Sequence, residues 1–230
     1  MIRCLPVATL VVFSLPVAMA AEFSGYAAVT SDYVKRGVTQ SDAEAAIQLG
    51  GDFFFGSGLF LGAWGSTVDI DNGPDRHRDL ELNLYAGFAY DVASLWRVSA
   101  RVVSYRYPGQ TGAFDYDYVE YSLAVNFDDR YWLEYSYSPD LYNTQRFSHN
   151  IEVYTEQPLA GNWSIGAGAG YYDLSDLLGQ GYGYWQLGVT GSYHYAVIDI
   201  RFHDTNRSVP LISTDARSRQ RIAVTIKVPF

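Results

Sequence analysis

The chain has almost no cysteine. Cys4 is the one cysteine among its 230 residues, and it lies in an apolar segment at the start. Residues 21–230 therefore contain no thiol, and no disulfide bond contributes to their fold.

The sequence also lacks an excess of positive charge and, beyond its start, a long apolar run. Its 16 Lys and Arg oppose 25 Asp and Glu, which gives a formal net charge of -9. This balance argues against nucleic acid as a partner, because such proteins carry a basic surface. After the first 20 residues no apolar run approaches the roughly 18 residues of a membrane-spanning helix.

The first 20 residues read as a targeting segment. Arg3 precedes an apolar run, and Ala18, Met19 and Ala20 form a small-residue cleavage site. This pattern is typical of a secretory signal peptide. We therefore predict a cleaved signal at 1–20 and a single mature domain at 21–230.

Alternation of apolar and polar residues dominates the rest of the chain, which contains 20 Tyr. A two-residue period is the signature of a β-strand with two different faces. We predict twelve strands, at about residues 22–33, 44–55, 58–69, 79–91, 95–107, 114–127, 130–138, 146–157, 162–173, 183–193, 196–204 and 221–230.

Short and long connections between these strands alternate along the chain. Tight turns occur near residues 56–57 and 128–129, and polar loops near 34–43 and 174–182. Transmembrane barrels have this arrangement, with short periplasmic turns, long outer loops and an even number of strands. The strands also reach the roughly 9–11 residues that a tilted strand needs to cross a membrane. The sequence thus predicts an all-β, antiparallel, up-and-down transmembrane barrel in a bacterial outer membrane.

The two faces of the strands differ in charge. The apolar face is almost free of charge and places aromatic residues, Tyr33, Trp96 and Trp185 among them, toward strand ends. An apolar face turned to lipid and a polar face turned to the lumen fit this division; a soluble β-sandwich would reverse it. The predicted lumen residues are Arg97, Arg101, Glu120, Glu134, Glu152, Asp199, Arg201 and Arg221, with Asp32 and Arg36 at the lumen mouth.

The chain ends on a strict alternation that places Ile226, Val228 and Phe230 on one face. A spanning sheet must close, because an open edge in lipid leaves unpaired backbone groups. The last strand should therefore pair with the first, and its terminal aromatic resembles the assembly signal of outer-membrane proteins. The expected partners are the barrel-assembly machinery, outer-membrane lipids, lipopolysaccharide and small solutes.

Three functions remain open at this level. A narrow channel for small solutes or ions uses the mixed charges as its lining, whereas in a plugged structural or adhesive barrel the same charges pair with one another. A lipid-modifying enzyme would need a nucleophile beside His149, but its neighbour Ser148 points to the opposite face. The acidic loop at 69–79 could bridge divalent cations to lipopolysaccharide, although it lacks the spacing of a calcium loop. We predict a channel, with no catalytic residue, metal or cofactor.

Several stretches resemble one family. They are SDYVKRGVTQSD (31–42), GLFLGAWGSTVD (58–69), YRYPG (105–109) with DYVEYSL (117–123), and LEYSYSPDLYN (133–143). Their order and spacing are similar to those of the Gcw_chp family of exported proteobacterial proteins, also labelled TorF-type porins. The resemblance implies an outer-membrane barrel and supplies no substrate or site. Lys35 departs from the family, in which an apolar or aromatic residue is usual.

Overall fold

The protein is a closed antiparallel β-barrel of twelve strands. The computed structural model describes residues 21–69, 79–108, 115–207 and 220–230; the predicted signal peptide at 1–20 lies outside them. No helix in these ranges is long and apolar enough to cross a membrane. The barrel strands are β1 (Ala21–Thr30), β4 (Ala46–Phe55), β5 (Leu59–Val68), β6 (Asp79–Ala93), β7 (Trp96–Arg106), β8 (Tyr118–Phe127), β9 (Tyr131–Ser138), β10 (Ser148–Pro158), β11 (Trp163–Asp173), β12 (Tyr182–Tyr193), β13 (Ala196–Thr205) and β14 (Arg221–Pro229).

The last strand closes the sheet against the first. Strand β14 pairs with β1, with Ala28 opposite Lys227 and Val29 opposite Ile226. The main chain of the final residue takes part, because Phe230 and Gly25 exchange two N–H···O bonds of 2.8 and 3.0 Å. Every strand edge of the barrel is thereby paired, as a lipid environment requires. The predicted fold class is confirmed.

The outer surface of the barrel is apolar and the inner surface is polar. Leu84 and Leu123, which belong to the apolar parity of their strands, are 61% and 62% exposed. On the alternate parity Glu81, Glu120 and Ser136 are almost completely buried. A soluble protein does not expose so continuous an apolar belt, and a closed barrel with buried charges rules out the sandwich alternative.

Aromatic side chains gather near both ends of the outer surface. At the end where short turns join the strands, which we call the turn end, Trp96 packs against Phe127 with ring centroids 4.6 Å apart. At the opposite end, the loop end, Trp185 packs against Phe202 at 5.0 Å. Such rings suit the boundary between hydrocarbon and headgroups. Tyr33 was expected among them and lies inside instead, because β1 ends at Thr30.

A two-stranded hairpin follows β1 and separates it from β4. Strand β2 (Val34–Lys35) pairs with β3 (Val38–Thr39) across a turn formed by Arg36 and Gly37. Both turn residues have positive φ, 49° and 78°, as the tight hairpin turns that match strand twist require. A side chain at Gly37 would lie 2.5 Å from the Thr205 methyl group of the barrel wall. The turn is therefore seated against the inside of the barrel.

Candidate functional site

The tip of the hairpin β2–β3 is held inside the barrel by a buried ion pair. Arg36 Nη2 donates to both carboxylate oxygens of Glu120, at 2.8 and 3.0 Å. The two side chains are only 9% and 3% exposed. Charge-assisted bonds of this kind are about twice as strong as neutral ones. The pair joins residues 84 positions apart in the sequence and fixes the hairpin to β8.

The neighbouring lysine makes a second set of contacts in the same place. Lys35 Nζ donates to Tyr118 Oη at 2.8 Å and lies 3.9 Å from Glu81 Oε1. It also lies 3.7 Å from the ring centroid of Tyr105, within the range of a cation–π interaction. Burial lowers the pKa of Lys35 to about 8, and the nearby Glu81 carboxylate opposes this decrease.

An aromatic ring completes the surroundings of Arg36. Its guanidinium carbon lies 4.4 Å from the ring centroid of Tyr172. Two carboxylates and three tyrosine rings thus enclose the two cations of the hairpin. We call this enclosure the cation recess; its residues are Glu81, Glu120, Tyr105, Tyr118 and Tyr172.

The base of the hairpin is anchored through Asp32. Its carboxylate accepts a hydrogen bond from Arg221 Nη1 at 2.7 Å and others from Thr39 Oγ1 at 2.5 Å and Ser41 Oγ at 3.2 Å. Asp32 and Arg221 are 5% and 8% exposed in their side chains. Asp32, just before the hairpin, therefore binds Thr39 and Ser41 at the far end of the hairpin and Arg221 of β14, which holds the base of the hairpin against the barrel wall.

Tyrosines fill most of the remaining space around the hairpin. A cavity of about 40 Å³ persists there. Since one water needs about 10–15 Å³ of such volume, it can hold only a few waters. The described residues thus leave a narrow space at the loop end of the lumen. The cavity is lined by Lys35, Arg36, Val38, Gln40, Tyr107, Tyr118, Tyr142, Tyr172 and Tyr182.

The half of the lumen nearer the turn end is more open. Arg101 Nη2 lies 3.1 Å from Glu134 Oε1, and both side chains are about one-third exposed although they face inward. On β13, Arg201 binds Asp199 at 2.7 Å. The aromatic ring of Tyr154 lies close to the glycine-rich face of β11, where a side chain at position 166 would collide with its hydroxyl. Because glycines leave room for it, a large ring such as that of Tyr154 can line this half of the lumen without filling it.

The charged residues predicted for the lumen form local pairs. All five predicted arginines bind carboxylates, so the acidic and basic groups do not stand as separate walls. Glu152 accepts hydrogen bonds from Tyr184 Oη at 2.8 Å and Gln186 Nε2 at 3.3 Å. The arginine pairs are Arg36–Glu120, Arg97–Asp91, Arg101–Glu134, Arg201–Asp199 and Arg221–Asp32.

Three of the predicted residues differ from the rest. Arg97 pairs with Asp91 at the turn end, and both side chains are more than half exposed. Asp32 and Arg36, placed together at the lumen mouth by their shared parity, both reach the loop end but bind different partners. The predicted site residues did not include Lys35 or Glu81. Glu81 could have been included, because the alternation of its strand places it on the polar, inward face.

Among the described residues, those considered for other activities do not assemble into a site. His149 lies in an aromatic cluster on the outer surface, with Nδ1 2.5 Å from Tyr135 Oη. Ser148 is buried on the inner face of the same strand, so the two cannot act together. Of the acidic loop, only Asp69 and Asp79 belong to the described residues, and no group of His, Cys, Asp and Glu in the described ranges is suited to a metal ion.

The fold is a closed twelve-stranded antiparallel barrel with an apolar outer face and with a hairpin folded into its lumen. The sequence matches, over residues 17–229, the family described as "Bacterial protein of unknown function (Gcw_chp)". The chain belongs to this family. A comparison with curated protein sequences found no match.

Solved structures share the architecture at low sequence identity. The NanC porin superposes with a TM-score of 0.60 at 9% identity, over 91% of this chain and 99% of that one. The KdgM porin gives 0.55 at 9% identity, over 91% and 98%. LpxR from Salmonella typhimurium gives 0.52 at 8% identity, over 90% and 99%. At these identities the likeness concerns the fold.

Proposed function

We propose that this protein is an outer-membrane channel for small solutes or ions, narrowed at its loop end by the hairpin β2–β3. The observation that carries the proposal is the position of Arg36, bound to Glu120 inside a closed barrel. The apolar belt and the likeness to porins support an outer-membrane location. The loop end would then face outward and the turn end the periplasm.

The two halves of the lumen have different roles in this proposal. The turn half, lined by the Arg101–Glu134 and Arg201–Asp199 pairs, admits hydrated solutes. Because each pair is nearly neutral, it gives weak selectivity between cations and anions. The loop half limits what passes, since its cavity of about 40 Å³ fits water and small ions. Larger solutes require the hairpin to move.

Planar lipid bilayers test the proposal directly. Purified protein should give stepwise conductance that is small for a twelve-stranded barrel, with a reversal potential near zero in a salt gradient. A barrel that inserts, as shown by its heat-sensitive mobility on gels, yet conducts nothing would contradict the channel. Phospholipid hydrolysis by the same preparation would favour an enzyme instead.

A plugged structural barrel is the second candidate, and the buried pairs at the hairpin favour it. Breaking a buried ion pair costs about 3–5 kcal/mol, and the hairpin has one such pair at its tip and another at its base. The two candidates differ in one result. A plugged barrel stays closed to ions when the hairpin is intact and conducts after residues 34–39 are replaced by a glycine-serine linker.

We also propose that strand β14 guides assembly. Phe230 ends the outward row of Ile226 and Val228, and its ring lies 6.5 Å from that of Phe23 on β1. Because Phe230 lies where β14 pairs with β1, the assembly machinery could recognise it as the barrel closes. Outer-membrane lipids and lipopolysaccharide would contact the exposed belt.

A further inference from the structure

We infer that the cation recess is a binding site for organic cations, occupied in the closed barrel by the chain's own Lys35 and Arg36. A solute with guanidinium or ammonium groups would displace the hairpin and open the lumen. This inference rests on the proposed channel and names the class of solute that it admits.

The charge balance of the recess points to this class. With the hairpin in place, Glu81 and Glu120 face Lys35 and Arg36, so two negative charges meet two positive ones. Withdrawal of the hairpin leaves both carboxylates without their cations. An uncompensated charge costs several kcal/mol wherever the recess still excludes water. A cationic solute removes that cost, whereas a neutral or anionic solute does not.

The rings of the recess suit the same ligands. Lys35 Nζ lies over Tyr105 at 3.7 Å, and the Arg36 guanidinium lies over Tyr172 at 4.4 Å. Aromatic faces attract ammonium and guanidinium groups most strongly where water is excluded. The Arg36 guanidinium therefore shows how the guanidinium group of a solute would be held beside Glu120, whereas an ammonium group would need closer contact with Glu81 than the 3.9 Å of Lys35.

Part of the acceptor capacity of the recess is unused when the hairpin is bound. Glu81 Oε2 and the neighbouring Asn83 Oδ1 are buried and accept no hydrogen bond from the described part of the chain. Lys35 reaches only the other carboxylate oxygen, at 3.9 Å. A mobile ammonium group has three donors and is not restrained by a hairpin, so it can satisfy oxygens that Lys35 leaves open.

Agmatine is the probe that matches the recess, because it carries a guanidinium and an ammonium group on one short chain. Binding is measured by titration calorimetry in detergent micelles. The variant Lys35→Ala/Arg36→Ala empties the recess, and it should bind agmatine at least about tenfold more tightly than the wild type, in which the hairpin competes. Adding Glu120→Gln to that variant should weaken its binding of agmatine by at least about tenfold.

Two controls define the result. Arg106→Ala removes a cation whose pair with Asp117 is exposed, and it should bind agmatine like the wild type. N-butylurea, of similar shape without charge, should give no binding heat. Equal agmatine affinity in the wild type and the emptied variant, or no loss on Glu120→Gln, would overturn the inference. If the double variant does not refold, Arg36→Ala alone is compared in the same way.

Calorimetry separates this inference from the channel itself. If the protein binds agmatine in the recess but gives no conductance in bilayers, the proposed channel is wrong and the proposed binding site is supported. If the protein conducts but agmatine changes neither its conductance nor its binding heat, the channel is supported and the proposed binding site is wrong.

Discussion

Replacing Glu120 by Gln should release the hairpin β2–β3 from the lumen. The change removes the carboxylate that Arg36 contacts at 2.8 Å, and it leaves a guanidinium with 9% exposure in its place. Loss of one partner from a buried pair costs about 3–5 kcal/mol. The amide oxygen of Gln can still accept one hydrogen bond, so we expect about 3 kcal/mol, equal to a population shift of about a hundredfold.

Thiol labelling measures this shift. Residues 21–230 contain no cysteine, so Val38→Cys introduces a single thiol on the hairpin, at a position only 1% exposed. With the hairpin bound, a maleimide reagent should react slowly. In the Glu120→Gln background its rate should rise about a hundredfold, because labelling follows the population of the open form.

The matched control for that experiment is Asp91→Asn. It removes the carboxylate partner of Arg97, but both side chains of that pair are more than half exposed at the turn end. Exposed pairs contribute little to stability, so the labelling rate of the Val38→Cys thiol should stay unchanged. A Glu120→Gln protein that labels no faster than this control would refute the assigned role of the Arg36–Glu120 pair.

Three further results are expected. Burial lowers the pKa of Lys35 from 10.5 to about 8, so between these values the bound hairpin carries fewer protons than the free one. Raising the pH from 8 to 10 should therefore strengthen hairpin binding and reduce conductance, and Lys35→Met should abolish this response. Arg101→Glu leaves Glu134 unpaired in the open half of the lumen, and the reversal potential should shift toward cation selectivity; an unchanged value would remove Arg101 from the conducting path. Deleting Phe230 removes its two main-chain bonds to Gly25, so outer-membrane yield should fall severalfold while protein that has already folded keeps its thermal stability. Equal yields would count against the assembly role.

The barrel itself could be predicted because its signal is local. Each strand shows its two-residue alternation within its own sequence, and the strand predicted at 162–173 is observed at Trp163–Asp173. Closure follows from the physics of lipid, which tolerates no open edge. The pairing of β14 with β1 therefore needed no information about long-range contacts.

The hairpin could not be predicted in the same way. Residues 34–43 read as a polar loop, and a loop sequence does not state whether it turns into the lumen or away from it. The partner of Arg36 is 84 residues away on β8, and which strand it meets depends on the tilt and stagger of the whole barrel. The end of β1 at Thr30 also lay earlier than the alternation indicated, which moved Tyr33 inside.

The stretches that carry the family resemblance meet at this one place. The hairpin comes from the first of them, while Tyr105, Glu120 and Leu141 come from three others, and their side chains are buried at the loop end. Because these residues are far apart in the sequence, their meeting at the loop end could not be predicted from it.

The hairpin β2–β3 should narrow the lumen, and single-channel recording of the protein with and without the hairpin measures this narrowing. Replacing residues 34–39 by a glycine-serine linker of equal length leaves the twelve barrel strands unchanged. The protein without the hairpin should show a severalfold larger conductance and should pass solutes that the wild type excludes. Identical conductance and identical solute exclusion in the two proteins would contradict this expectation.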